Sequence, residues 1–181
     1  MDGQIAQLKI VLPPAVGRYN IPMATRPFET AGSLKSPMVR QISVFLEDRV
    51  GALMRLFKAF EGSDVRVVAM SVVHAIDCAI IRVICDQHDA AVEILEKRGF
   101  PLSQTELLVV EVPHGHGLMS ICSALLAGEV NIDYAYPLLV RPAGRAALAI
   151  HTDSVETAVQ VFRLRKFQLM SEDDLGPGPV R

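Results

Sequence analysis

The chain has 181 residues, half of them hydrophobic and 21% charged, with a formal net charge of −2. That composition describes one large or two small globular domains and excludes a chain too polar to bury a core. Lys and Arg are not clustered, Trp is absent, and three Tyr and seven Phe are scattered. Neither a phosphate-tracking surface nor a base-stacking platform is therefore expected, and nucleic acid is not an expected partner.

Residues 1–38 read as an irregular arm punctuated by Pro13, Pro14, Pro22 and Pro27. Its apolar run Ile10-Val11-Leu12 stops at Pro13-Pro14, so no secretory signal is expected. No later segment approaches the roughly 18 apolar residues of a membrane span, so no membrane association is expected. Cys78, Cys85 and Cys122 are odd in number, lie in apolar runs and lack CxxC spacing. They read as buried, reduced thiols, which fits a cytoplasmic protein.

Regular patterning begins at Met38. Ile42, Val44 and Leu46 alternate with polar residues as in a half-buried strand. Leu53, Leu56, Phe57 and Phe60 then mark one helix face, and Gly62 is its expected stop. Val65–His74 and Cys78–Asp86 read as two strands. Asp89 is placed to cap a second helix that carries Ala91, Ile94 and Leu95 and stops at Gly99. Leu102–Val112 supplies one or two further strands, which completes a β-α-β-β-α-β order.

The same order then repeats. Leu107–Val112 is a strand and His114-Gly115-His116-Gly117 a turn. Leu118, Ile121, Cys122 and Leu125 mark a helix face that stops at Gly128. Val130–Arg141 and Arg145–His151 form a hairpin. A last helix, capped by Asp153 or Ser154, carries Val155, Ala158, Val159 and Phe162, and Phe167–Met170 is the last strand. Gly51, Gly62, Asp86 and Phe100 align with Gly117, Gly128, Asp153 and Phe167 at offsets of 66, 66, 67 and 67 residues. These matches predict two copies of one module, 39–105 and 106–175, followed by a flexible tail at 176–181. Each copy is near the lower size limit for an adequate core, so the two are expected to pack together.

The segment FLEDRVGALMRLFKAFEGSDVRVVAMSV (45–72) resembles the opening of an ACT module: a strand, a turn [ND]-R-x-G-x-L, a helix, then G-x-[ND]-[IV] leading into the second strand. The turn here is Asp48-Arg49-Val50-Gly51-Ala52-Leu53, and Asp64-Val65-Arg66-Val67 opens the second strand. The second copy, VEVPHGHGLMSICSALLAGEVNIDYAY (110–136), keeps Gly117 and Val130-Asn131-Ile132. The resemblance implies an α+β fold of two ferredoxin-like βαββαβ modules with antiparallel sheets packed together. It also implies a regulatory role in which a free amino acid is bound, with no cofactor, metal or catalysis.

In the ACT family the ligand lies where one module's first turn faces its neighbour's second strand. Carried over by position, its polar contacts are Asp48 and Asn131, so the expected site is Asp48, Arg49, Val50, Gly51, Ala52 and Leu53 against Asn131 and Ile132 of the other module in the same chain. There is also a physical reason for the place. A turn entering a helix offers unpaired N–H groups to a carboxylate, glycine permits close approach, and Asp48 can accept from an ammonium group. The pseudo-equivalent site, His114, Gly115, His116 and Gly117 against Arg66 and Val67, departs from the pattern at His114 and Arg66 and is expected to be weaker.

Other signals are slight. His114, His116 and His151 lack the spacing of a metal site. Arg82, on an Ile- and Val-rich strand, reads as an exposed-face residue or half of an ion pair. No P-loop, dinucleotide turn or nucleophile elbow occurs. Apolar Val68, Val72, Ala147 and Ala149 on the helix-free faces predict a homodimer that covers them. The alternative to an amino-acid sensor is a scaffold or subunit that docks to a metabolic enzyme without a ligand.

Overall fold

The computed structural model describes residues 37–176 except 76, 77 and 116, and at 143 the backbone alone. Nearly all of the expected arm, and the last five residues of the expected tail, lie outside that range.

The chain begins with β1 (Met38–Glu47), whose Ile42, Val44 and Leu46 point to the first helix layer. α1 (Ala52–Lys58) buries Leu56 and half-buries Leu53 and Phe57. It ends before Gly62, because the N–H groups of Ala59, Phe60 and Glu61 bond to carbonyls only three residues back. β2 (Val67–His74) and β3 (Cys78–Cys85) form an antiparallel pair with a bulge at Val67–Ala69. α2 (His88–Lys97) buries Ala91 and Leu95. Asp89 does not cap it: the residue sits inside the first turn, and its carboxylate bonds to Arg40. β4 (Leu102–Glu111) is a single strand.

The second half contains α3 (Gly117–Ala127), β5 (Ile132–Pro137), a 3₁₀ turn at Pro142–Gly144, β6 (Ala147–Thr152), α4 (Val155–Leu164) and β7 (Leu169–Met170). Ser154 precedes α4 but its hydroxyl donates to Thr157 Oγ1, while Asp153 Oδ1 accepts the Asn131 N–H; neither side chain caps the helix. A short helix precedes the expected tail. α5 (Glu172–Leu175) opens with a reciprocal Ser171–Asp174 capping box, and Leu175 is buried.

The strands form one antiparallel sheet in the order β2-β3-β1-β4-β6-β5. β4 belongs to both repeats. Leu102–Leu108 pairs with β1, Leu108–Glu111 pairs with β6, and Val109–Val110 pairs with β7 on the edge that β1 has left. Each repeat therefore has the strand order of a ferredoxin-like βαββαβ module, and β4 is the last strand of one and the first of the next. An Ala69–Leu138 bridge and a 2.8 Å bond from Leu139 N–H to the Val68 carbonyl join the two ends of the order.

Three apolar layers follow from this arrangement. One lies under α1 and α2, another under α3 and α4. Between them the helix-free faces meet, where Val39, Val68 and Ile84 pack with Tyr136, Ala147 and Ala149. β4 shows the effect directly: Leu107, Leu108, Val109 and Val110 are all 0% exposed, because that half of the strand is covered on both faces.

Two expectations change. Val68, Ala147 and Ala149 are buried within one chain, and of the four residues expected to mark an uncovered face only Val72 is exposed. On α3 the inward residues are Ile121, Ala124 and Leu125, whereas Leu118 and Cys122 face outward. Cys122 is thus exposed, Cys78 is half-buried and only Cys85 is buried. Among the described residues no helix is long and apolar enough to cross a membrane.

Candidate functional site

The Asp48–Leu53 turn leaves the sheet where Glu47 pairs with Cys78. Gly51 precedes α1 with φ at +84°, and a Cβ there would meet nothing within 4 Å. This left-handed backbone favours glycine, and the space above it is open. The Ala52 N–H donates to the Arg49 carbonyl, while the N–H groups of Leu53 and Met54 have no acceptor among the described residues. Asp48 is exposed, with one carboxylate oxygen 3.7 Å from His74 Nδ1. Arg49 is paired with Glu47 at 3.0 Å, and Val50 is fully exposed. The turn thus offers an acceptor, two free donors and room for a small molecule.

Asn131 and Ile132 lie elsewhere. The Asn131 N–H donates to Asp153 Oδ1 at 3.0 Å, its carbonyl accepts from the Asp153 N–H, and its amide donates to Asp133 Oδ1 at 3.3 Å. Ile132 packs against the core of the second repeat. Two strands, β4 and β6, separate β1 from β5 in the sheet. Among the described residues, no hydrogen bond or ion pair joins Asp48 to Asn131.

The pseudo-equivalent turn differs. His114 and Gly115 are exposed, whereas Gly117 is buried at the start of α3, where a Cβ would lie 2.8 Å from Val112 Cγ1. There is no open space there like that above Gly51. Arg66 donates through its backbone N–H and Nε to the two oxygens of Asp86 at 2.8 and 2.9 Å. Val67 packs in the first core. No bond joins His114 to Arg66 among the described residues, and His116 lies outside them.

Sequence reasoning missed two polar clusters. The first crosses between the repeats. Gln41, 0% exposed, accepts from the Tyr136 hydroxyl at 2.8 Å and donates to Ser43 Oγ and Tyr134 Oη at 3.0 and 3.1 Å. Arg82 is half-buried and has no ion pair among the described residues, and its guanidinium lies 3.9 Å from the centre of the Tyr134 ring. That ring also stacks on His151, whose Nδ1 is 2.8 Å from Asp133 Oδ2. Burial raises the Tyr136 hydroxyl pKa above its ordinary value. The legible signal was parity, since Gln41 and Ser43 share a face of β1 with buried Val39.

The second cluster ties β1 to α5 and α2. Arg40 donates from its backbone N–H and from Nε and Nη2 to Glu172, and from Nη1 to Asp89 at 2.7 Å. These hydrogen bonds hold both carboxyls below the usual carboxylate range. The cluster borders a cleft of about 500 Å³ that His88 and Asp86 also line. Buried His88 places Nε2 2.7 Å from Gln104 Oε1. Among the described residues, no three His, Cys, Asp or Glu side chains are grouped to hold a metal.

A family model described as an ACT domain pair matches residues 38–177. Among solved structures, the chain is similar to protein BT0572 from Bacteroides thetaiotaomicron, with 23% identity and a TM-score of 0.70 over 76% of this chain and 95% of that one. It is also similar to the ligand-free regulatory subunit of aspartate kinase from Thermus thermophilus, with 14% identity and a TM-score of 0.50 over 70% and 91% of the two chains. At these identities the likeness is one of fold. No curated protein matches the chain in sequence.

Proposed function

This chain belongs to the ACT domain pair family, and from that membership we propose that it is a non-catalytic regulatory protein that senses a free amino acid. The observation that carries the reading is the Asp48–Leu53 turn, with its exposed carboxylate, two unbonded N–H groups and open space above Gly51. The ligand's ammonium group is assigned to Asp48, and its carboxylate to the N–H groups of Leu53 and Met54. Asn131 and Ile132 are assigned to complete the site from a second copy in a homodimer, because within one chain the bonds of Asn131 go to Asp153 and Asp133 rather than to the turn. The His114–Gly117 turn with Arg66 and Val67 is the weaker site, because Gly117 is crowded and Arg66 is already held by Asp86. The output of sensing is a change in how the chain engages an enzyme.

A thermal-shift screen of the full chain against the common amino acids, with and without divalent metals, tests the proposal. A selective shift by one amino acid without metal supports it. A flat response supports the ligand-free docking subunit instead, and metal dependence supports neither. Titration of that amino acid onto Asp48→Ala should show at least tenfold weaker binding, as a charge-assisted contact contributes roughly 1.5–3 kcal/mol. Asn131→Ala should weaken binding and His114→Ala should not. The opposite pattern places the site at the second turn.

A further inference from the structure

β2 ends beside the Asp48 turn. Its last residue, His74, pairs with Ala79 of β3, and Ala79 pairs with Leu46 of β1. Directly paired residues share a face of the sheet, so His74 lies on the face that α1 and α2 cover, where Leu46 and Ala79 pack. From there His74 Nδ1 reaches to 3.7 Å from Asp48 Oδ2. That separation is too long for a hydrogen bond and within the range of an ion pair. Both side chains are exposed, His74 by 68% and Asp48 by 56%. The other charges at this end are already engaged or absent. Arg49 pairs with Glu47 at 3.0 Å, and Ala52, Leu53 and Met54 in the first turn of α1 carry no charge. Cys78, which opens β3, is the neighbouring thiol, and Asp77 lies outside the described residues.

We propose that His74 competes with the amino acid's ammonium group for Asp48, so that the sensor binds more weakly in acid than at neutral pH. This deepens the proposed function, and it rests on that reading's assignment of the ammonium group to Asp48. Histidine is the side chain whose ordinary charge change falls between about pH 5 and 8. A free amino acid keeps both its ammonium and its carboxylate charge across that range, so the ligand contributes no such change of its own. The competition has two parts. A protonated His74 pairs with the carboxylate that the ammonium group needs, and it repels an ammonium group bound to the same oxygens. A neutral imidazole does neither, and Asp48 is then open to the ligand. Because the pair is long and exposed, it is weak, as surface ion pairs are. The effect is therefore graded, and the amino acid still binds in acid. The second turn has His114 where the first has Asp48, so it offers no carboxylate to contest, and the device belongs to the first module alone.

The test titrates the full chain with the common amino acids, each added singly, at about pH 5.5 and about pH 7.5 and at constant ionic strength. Histidine is omitted because it titrates itself. For the amino acid that binds most tightly, wild type is expected to bind roughly two- to fivefold more tightly at the higher pH, the range that a surface ion pair supports. His74→Gln should lose that dependence. His74→Lys keeps a positive charge at both pH values and should bind at the higher pH as weakly as wild type does at the lower. His74 is exposed, so both variants should retain the wild-type circular dichroism spectrum. A wild-type affinity that fails to rise with pH, or a rise that persists in His74→Gln, would overturn the competition and leave the amino-acid reading standing. Binding of no amino acid at either pH would overturn both.

Discussion

The Tyr136 hydroxyl of the second module donates a 2.8 Å hydrogen bond to Gln41 Oε1 of the first. Both residues are buried, Gln41 completely. A buried acceptor that loses its donor retains its full desolvation penalty. Tyr136→Phe should therefore destabilise the chain by about 1–2 kcal/mol in urea unfolding. Gln41→Leu combined with Tyr136→Phe should cost less than the sum of the two single changes, since it removes both ends of the bond.

The two long helices that follow first strands can be compared at one leucine each. Leu56 on α1 is 0% exposed and Leu118 on α3 is 57% exposed. Leu56→Ala should lower stability by roughly 2–5 kcal/mol. Leu118→Ala should change it by less than about 0.5 kcal/mol when measured below the dimerisation range. Chemical denaturation of both variants checks the assignment of the two helix faces.

Acid should reveal the Arg40–Glu172 contact. The hydrogen bonds from Arg40 lower the Glu172 pKa in the folded chain. Its stabilisation is complete above the unfolded carboxyl pKa of about 4.3 and is lost as pH falls through the lower folded value. Wild type should thus lose more stability than Glu172→Gln between about pH 5 and pH 3. At neutral pH the variant should be less stable by about 1 kcal/mol or less, because the pair is partly solvated.

Two glycines, one in each module, should respond differently to alanine. At Gly128 a Cβ would lie 2.5 Å from Val161 Cγ2, so Gly128→Ala should cost about 1–3 kcal/mol by overpacking. Adding Val161→Ala should recover part of that loss. Gly51 has open space but φ of +84°, so Gly51→Ala should cost only about 1 kcal/mol of backbone strain. Thermal melts of the three variants give the comparison.

The repeat was legible because the apolar periods of strands and helices recur at an almost constant offset, and both copies fold in the same order. Periodicity reports which residues are apolar, and at α3 that was not enough. With Leu118, Met119, Cys122, Leu125 and Leu126 all apolar, no contrast existed to choose the inward face, and Ile121 with Leu125 took it. The cap expected at Asp89 failed because a nonlocal cation, Arg40, competes for its carboxylate. The same residue, with buried Leu175, fixes α5, for which the repeat pattern gives no signal. For the proposed site, the local turn at Gly51 follows from its sequence, whereas the bonds that hold Asn131 depend on Asp153, which is distant in sequence.

Because Leu102–Glu111 serves both modules, neither half of the chain is a movable cassette. A break anywhere within those ten residues takes a strand from one fold or the other. A gene that exchanged or re-duplicated a single half would have to carry the codons of this strand on both sides of the joint.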